Sequence, residues 1–186
     1  MKTYRSDPKN PDRDRLFVGV AEYEVATDGE TLVAYGLGAC VGVVLYDPVG
    51  VGGLAHAMLP RQTDDVSTSE AKFVETAVEA LLRDVVTAGA SIGRLEGYIT
   101  GGAEVFDLHE LPSDVIEDNV AVAHEVLHRL NVPVVETAVG GDRGRTVELD
   151  VSTGELRILT AHDPNPTVLR RADEGGEGER SRGEEP

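Results

Sequence analysis

Between Leu16 and His162 the chain alternates short apolar runs with clusters of Gly, Pro, Asp and Ser. That rhythm predicts strands first and helices later. Phe17–Ala26 alternates enough for one strand, and Thr31–Tyr35 for a second that runs into Gly36-Leu37-Gly38-Ala39-Cys40. Val41–Tyr46 is an uninterrupted, valine-rich run, the mark of a strand buried on both faces. Asp47-Pro48-Val49-Gly50 is a turn by composition, after which Val51–Leu59 returns as a strand and stops at Pro60. Ser67 with Glu70 three residues on forms a capping box that opens a helix to about Thr87, closed by Gly89. Leu95–Thr100 is a strand, Ser113 caps a helix to about Leu130, and Val132–Val139 is a strand again. Thr146–Asp150 and Glu155–Thr160 flank a Ser-Thr-Gly turn and read as a hairpin. About seven or eight strands and two main helices result. Their order favours an α+β fold, a mixed or antiparallel β-sandwich, over a doubly wound α/β sheet.

The 186 residues suit one domain with loose ends. Residues 1–15 are polar and predicted disordered, 16–162 form the domain, and 163–186 form an acidic tail predicted disordered. Neither a signal-peptide core nor a run of about 20 apolar residues is present, so a soluble, cytoplasmic protein without membrane insertion is expected. The single cysteine excludes an internal disulfide.

Charge changes the picture further. The 34 acidic residues outnumber the 17 basic ones, for a net charge of −17. Only Lys2, Lys9 and Lys72 are lysines; the remaining cations are arginines. A nucleic-acid binder needs a basic face, and none is apparent. The acid excess with few lysines resembles the proteins of extreme halophiles, and it runs through the body from Asp47 to Asp150 as well as the tail.

The candidate chemistry centres on Cys40, at the end of a glycine-bearing loop and the start of the buried strand. Glycines at 36 and 38 let such a loop aim successive N–H groups at one point, as an oxyanion hole requires, and Gly38, Ala39 and Val41 are the candidates for it. If Tyr46 faces Val51 across the turn, Cys40 lies opposite Ala57 and His56 is one step off, so a bulge, or the freedom of Cys40 at the strand end, would bring thiol and imidazole together. A Cys beside a His has a defined chemistry: the imidazole takes the thiol proton, and the thiolate attacks a carbonyl carbon. On a glutamine side chain, ammonia leaves and a thioester remains for water to hydrolyse. A paired His56 also predicts a thiol more reactive than a free cysteine. Spacing alone equally accommodates a buried cysteine and a packed histidine in a hairpin.

Gly36-Leu37-Gly38-Ala39-Cys40-Val41-Gly42-Val43 with Tyr46-Asp47-Pro48 resembles the nucleophile segment of the CheD family of chemoreceptor glutamine deamidases. Gly53-Leu54-Ala55-His56-Ala57-Met58-Leu59-Pro60 is similar to that family's histidine strand. Gly19 to Val25, Gly101-Gly102-Ala103-Glu104-Val105-Phe106, and Gly140-Gly141 followed by Gly144-Arg145 extend the resemblance in family order. The resemblance implies a catalytic Cys40 and His56, no cofactor, chemoreceptor cytoplasmic domains as substrate and a CheC-type phosphatase as regulator, with the chain expected to be a monomer. Three positions depart from the family pattern. Ala39 stands where a Ser is common, Ala34 where the family carries a third catalytic group, a Thr, and Asp118 where an Arg is common. Strand alternation points Tyr35 away from the face of Ala34, so water or backbone is expected to orient the histidine in place of that Thr, ahead of Tyr35, Thr31 or Thr100. The rival class is a non-catalytic CheD-like module that binds the phosphatase; Ala34 favours it, and the presence of both Cys40 and His56 opposes it.

Two other motifs carry less. His124-Glu125-Val126-Leu127-His128 spells the H-E-x-x-H zinc signature. The apolar stripe Ile116, Val120, Ala123, Leu127, Leu130 puts Glu125 nearly opposite it at roughly 100° per residue, a solvated face, so no metal site is expected. Gly140–Arg145 lacks the helix and Lys of a phosphate loop and reads as a turn between strands, with Arg143 and Arg145 free to touch an acidic receptor surface.

The thermal midpoint should rise strongly with KCl, because screening relieves repulsion among the acids, and removing residues 172–186 should change it little. Differential scanning fluorimetry from low to molar salt reads both; a flat midpoint refutes the halophilic reading.

Overall fold

The structure, a computed structural model, describes residues 14–27, 29–62, 69–105 and 113–172. Ten strands and two α-helices appear among them: β1 (Arg15–Phe17), β2 (Glu22–Thr27), β3 (Thr31–Leu37), β4 (Val41–Asp47), β5 (Val51–Ala57), α1 (Val74–Thr87), β6 (Glu96–Gly101), α2 (Ser113–Arg129), β7 (Val134–Val139), β8 (Arg145–Asp150), β9 (Leu156–Thr160) and β10 (Thr167–Arg170). They form two five-stranded sheets, ordered β1-β3-β8-β9-β10 and β2-β5-β4-β6-β7. Most neighbours are antiparallel, while β1 with β3 and β6 with β7 run parallel, so both sheets are mixed. The α+β sandwich expected from the pattern of apolar runs is therefore the fold.

Alternation along β4 shows why its apolar run is unbroken. Val41, Val43 and Leu45 pack with Ala77, Leu81 and Val85 of α1 and Ala123, Val126 and Leu127 of α2. Val44 and Tyr46 pack the other way, with Leu54 and Tyr98, onto Leu32, Ala34, Val147, Leu149 and Ile158 of the first sheet. The β4-centred sheet is thus the middle of three layers, with helices on one face and the first sheet on the other, and it must be apolar on both. The parallel β6–β7 pair is joined through α2, which holds that helix against the middle sheet.

Several predicted boundaries move. The stretch 17–26 is two strands in different sheets, because the chain turns at Val18–Ala21, where Ala21 takes a left-handed φ of 60°. The C-terminal tail predicted from 163 contains β10, which pairs with β9; the remainder beyond 172, residues 1–13 and the Ser67 cap lie outside the described residues. Helix α1 starts at Val74 behind a 3-10 turn at Glu70–Lys72, and its N-cap, Phe73, offers no side-chain cap. The buried side of α2 includes Asn119, Val122 and Val126 in addition to Ala123 and Leu127.

Asp47 closes the β4–β5 connection from inside. Its carboxylate is fully buried and accepts from Arg94 Nε (3.0 Å) and Nη2 (2.9 Å), from Ser91 N (2.7 Å) and from Val49 N (3.2 Å). Burial alone would raise its pKa, but the guanidinium of Arg94 and the two backbone N–H groups outweigh burial and hold the carboxyl below its ordinary value. A carboxyl whose folded pKa is depressed stabilises the fold above its unfolded pKa, and that contribution is lost as pH falls through the folded value. Asp47→Ala should cost about 2–4 kcal/mol at neutral pH. The gap between variant and parent in urea unfolding should narrow below about pH 4.

Candidate active site

The hairpin of β4 and β5 decides where Cys40 and His56 stand. Asp47 pairs with Val51, Tyr46 with Gly52 and Gly42 with His56, one residue away from the register expected from sequence. Continued one residue beyond the pairing of Val41 with Ala57, the register would set Cys40 across from Met58, two residues from Gly42 and on the face of His56. The expected bulge is unnecessary; the two residues are diagonal neighbours on one face. That face is the one turned toward the first sheet, since a Cβ on Gly42 would meet Leu37 Cδ2 at 2.8 Å and Thr100 Cγ2 at 3.2 Å. Gly42 leaves a gap in the row Glu22–His56–Gly42–Thr100–Ala138 that runs across β2, β5, β4, β6 and β7.

His56 is wholly buried, and neither ring nitrogen has a hydrogen-bond partner. Its backbone carbonyl accepts from Ala21 N at 2.8 Å. Burial pushes its pKa below the ordinary histidine value, with the nearby Val18 backbone opposing weakly. The imidazole is thus held neutral, the form that can accept a proton. Cys40 is half-buried and free. Burial pushes its thiol pKa up, against a smaller opposing effect of its own N–H. No hydrogen bond joins thiol to imidazole, and burial disfavours the charged form of each.

The loop that carries Cys40 is held by its carbonyls. Gly38 O accepts from Ala103 N (2.8 Å), Cys40 O from Gly102 N (2.9 Å), and Ala39 O from Asn119 Nδ2 (3.3 Å), whose amide also donates to Met58 O (2.9 Å). Gly101 makes this approach possible: it sits at φ 96°, and a Cβ there would lie 2.2 Å from Cys40 O. Among the described residues, no backbone carbonyl accepts from the N–H of Gly38, Ala39 or Cys40, and the Cys40 N–H has its own sulfur beside it. Of the expected oxyanion donors, Gly38 and Ala39 thus lack a backbone acceptor, whereas Val41 is the first paired residue of β4. Sequence reasoning missed the Cys40 N–H and the clasp from Asn119, Gly102 and Ala103; the Gly-Gly-Ala motif was the one trace of that clasp.

Ala34 and Thr100 lie in the layer between the sheets without bonding to His56, and the other predicted residues lie elsewhere. Ala34 is buried between the sheets, opposite Val147, with no oxygen to offer. Tyr35 is 55% exposed and stacks on Phe17, and Thr100 Oγ1 donates to Ala138 O. Thr31 sits at the far end of β3, opposite Asp150. His124, Glu125 and His128 are exposed on α2, and Glu125 pairs with Arg61. No cluster of three or more His, Cys, Asp or Glu with metal-holding geometry occurs among the described residues. Gly140–Gly144 is a strand-to-strand turn, and Arg145 donates to the carbonyls of Gly101 (3.2 Å) and Gly140 (2.7 Å).

Comparison with known proteins matches the chain to one family. Residues 58–160 match the family model described as CheD, chemotactic sensory transduction. The chain is 36% identical over 173 residues to the probable chemoreceptor glutamine deamidase CheD of Haloarcula marismortui, covering 90% of this chain and 100% of that protein. It is 40% identical over 154 residues to a probable chemoreceptor glutamine deamidase CheD 2 of Geobacter metallireducens (80% and 95% covered). It is 42% identical over 144 residues to a probable chemoreceptor glutamine deamidase CheD of Pyrococcus horikoshii (76% and 89% covered).

Alkylation of Cys40 by iodoacetamide should be slow at neutral pH and rise with an inflection above that of an ordinary cysteine thiol, because burial disfavours the thiolate. Mass-spectrometric rates across pH read this directly. An inflection below the ordinary value would mean that His56 already stabilises the thiolate in the free protein.

Proposed function

The chain belongs to the CheD family, and from that premise we propose that it is a chemoreceptor glutamine deamidase in which Cys40 is the nucleophile and His56 the base. A glutamine side chain of the receptor enters at the open end of β4. Neutral His56 takes the Cys40 proton as sulfur attacks the amide carbon, and the electron pair of the C=O bond moves onto oxygen. When that tetrahedral species collapses, the C–N bond breaks, the proton on His56 goes to the leaving nitrogen, and ammonia departs. Water, deprotonated by His56, then attacks the thioester; the C–S bond breaks, the thiol is regenerated, and glutamate remains on the receptor.

The observation that carries this reading is the hairpin register, which sets Cys40 and His56 on one face. The depressed pKa of His56 supports the base role, since the proton acceptor is then neutral at physiological pH. The raised pKa of Cys40 supports proton transfer coupled to substrate binding rather than a standing ion pair; catalytic hydrogen bonds that are absent in a free enzyme form as substrate closes the site. With Ala34 lacking a hydroxyl, water or a backbone carbonyl orients the imidazole. No cofactor or metal enters the scheme. The family resemblance also supports a CheC-type phosphatase as regulator. No helix among the described residues is long and apolar enough to cross a membrane, and we place the monomeric protein in the cytoplasm, where the receptor domains lie.

Receptor cytoplasmic fragments incubated with the protein should show Gln-to-Glu conversion by mass spectrometry. Cys40→Ala should abolish it while retaining the fold by circular dichroism, and His56→Ala should lower it by a factor of about 100 or more. Unchanged conversion by Cys40→Ala refutes the nucleophile; full activity of His56→Ala refutes the base.

A further inference from the structure

Asn119 is fully buried on α2, among side chains that are otherwise apolar where the helix meets the middle sheet. Its Nδ2 donates to Ala39 O and to Met58 O, so one amide ties the last residues of both hairpin arms, next to Cys40 on one and beyond Ala57 on the other. The opposite orientation is excluded, because a flipped amide would set its oxygen against two carbonyl oxygens. Its Oδ1 has no partner, a cost that a buried polar atom seldom carries without a reason.

The peptide that Asn119 grips is the one between Ala39 and Cys40. In a trans peptide the C=O and the following N–H point in opposite directions. A pull on Ala39 O from the helix layer therefore turns the Cys40 N–H away from the helices. The neighbouring peptides are gripped in the same way, Gly38 O by Ala103 N and Cys40 O by Gly102 N, but those clasps are backbone groups and Asn119 is the side chain of the set. The geometry points to Asn119 as a positioning residue for the oxyanion-binding backbone of the Cys40 loop, aiming the Cys40 N–H at the substrate amide oxygen as negative charge develops there. Asn119 touches neither substrate nor sulfur; it acts from behind, through one peptide plane.

This inference rests on the deamidase reading, and a second reaction of the same sulfur separates the two. Deamidation builds charge on an amide oxygen and needs aimed N–H donors. Alkylation by iodoacetamide displaces iodide from carbon and needs only the thiolate. Both are measured for the full chain and for Asn119→Ala, Asn119→Asp and Cys40→Ala, with a receptor cytoplasmic fragment as substrate for turnover and alkylation followed at alkaline pH. The expected result for Asn119→Ala is a kcat lower by about tenfold or more, with KM and the alkylation rate within about twofold of the parent. Asn119→Asp keeps the side-chain volume and replaces the donor by an acceptor, so it should show the same split even if the alanine variant folds poorly. A parallel fall in alkylation and kcat would mean that Asn119 serves the thiol or the fold, and a kcat within about twofold of the parent would mean that it positions nothing; either overturns the assignment. Turnover surviving in Cys40→Ala would remove the deamidase mechanism itself, whatever the Asn119 variants do.

Discussion

The register of one hairpin, set by the buried carboxylate of Asp47, is the constraint on which the site depends. Asp47 faces Val51 with three residues between them, and Gly50 takes a φ of 88° that lets the chain turn back. A three-residue loop ending in a left-handed residue is a common hairpin closure, and here it replaces the four-residue turn that composition suggests. Asp47 fixes the loop from within by accepting from Val49 N, while Arg94 and Ser91 hold the carboxylate itself. Because side chains alternate with period two, a slip of one residue would carry His56 to the opposite face from Cys40. The ion pair that stabilises a turn more than a strand's length away thus sets the chemistry at the far end of the hairpin.

Two layers then share the construction of the site. In the proposed mechanism the face between the sheets supplies the thiol and the imidazole, and burial there disfavours the charged form of each. The helix layer supplies the grip on the backbone behind them. Such a division keeps the reacting groups in an environment that disfavours charge while fixing the N–H donors that would stabilise charge when it forms. It also explains why Gly101 admits no side chain: the loop after β6 must approach Cys40 O closely enough to donate to it.

The acid excess is arranged around this core rather than within it. Arg61 and Arg129 bridge Glu75, Glu79 and Glu125 across the two helices. Each exposed pair contributes little by itself, but together they place the scarce cations among acids that would otherwise repel. Glu125, the acid of the H-E-x-x-H spelling, belongs to this network.

The sequence alone determined the class of fold, the two helices and the strands of the core, because unbroken and alternating apolar runs report which faces are buried. It also marked Cys40 and His56 as candidates, through residues adjacent in the chain to distinctive glycines. What it left open were quantities fixed only when elements meet. Residues 17–26 looked like one strand, because alternation does not reveal a crossing between sheets at Ala21. The short β10 exposes half of its side chains and pairs only with β9, so its sequence carries little signal. The one-residue register, the clasp on the Cys40 loop and the bonds of Asn119 were decided by tertiary structure. Each depends on where hydrogen-bonding groups more than 40 residues apart in the chain come to rest, as Arg94 and Ser91 do against Asp47 and Asn119 does against Met58 and Ala39. Local pattern records which way a residue faces; only packing records what it faces.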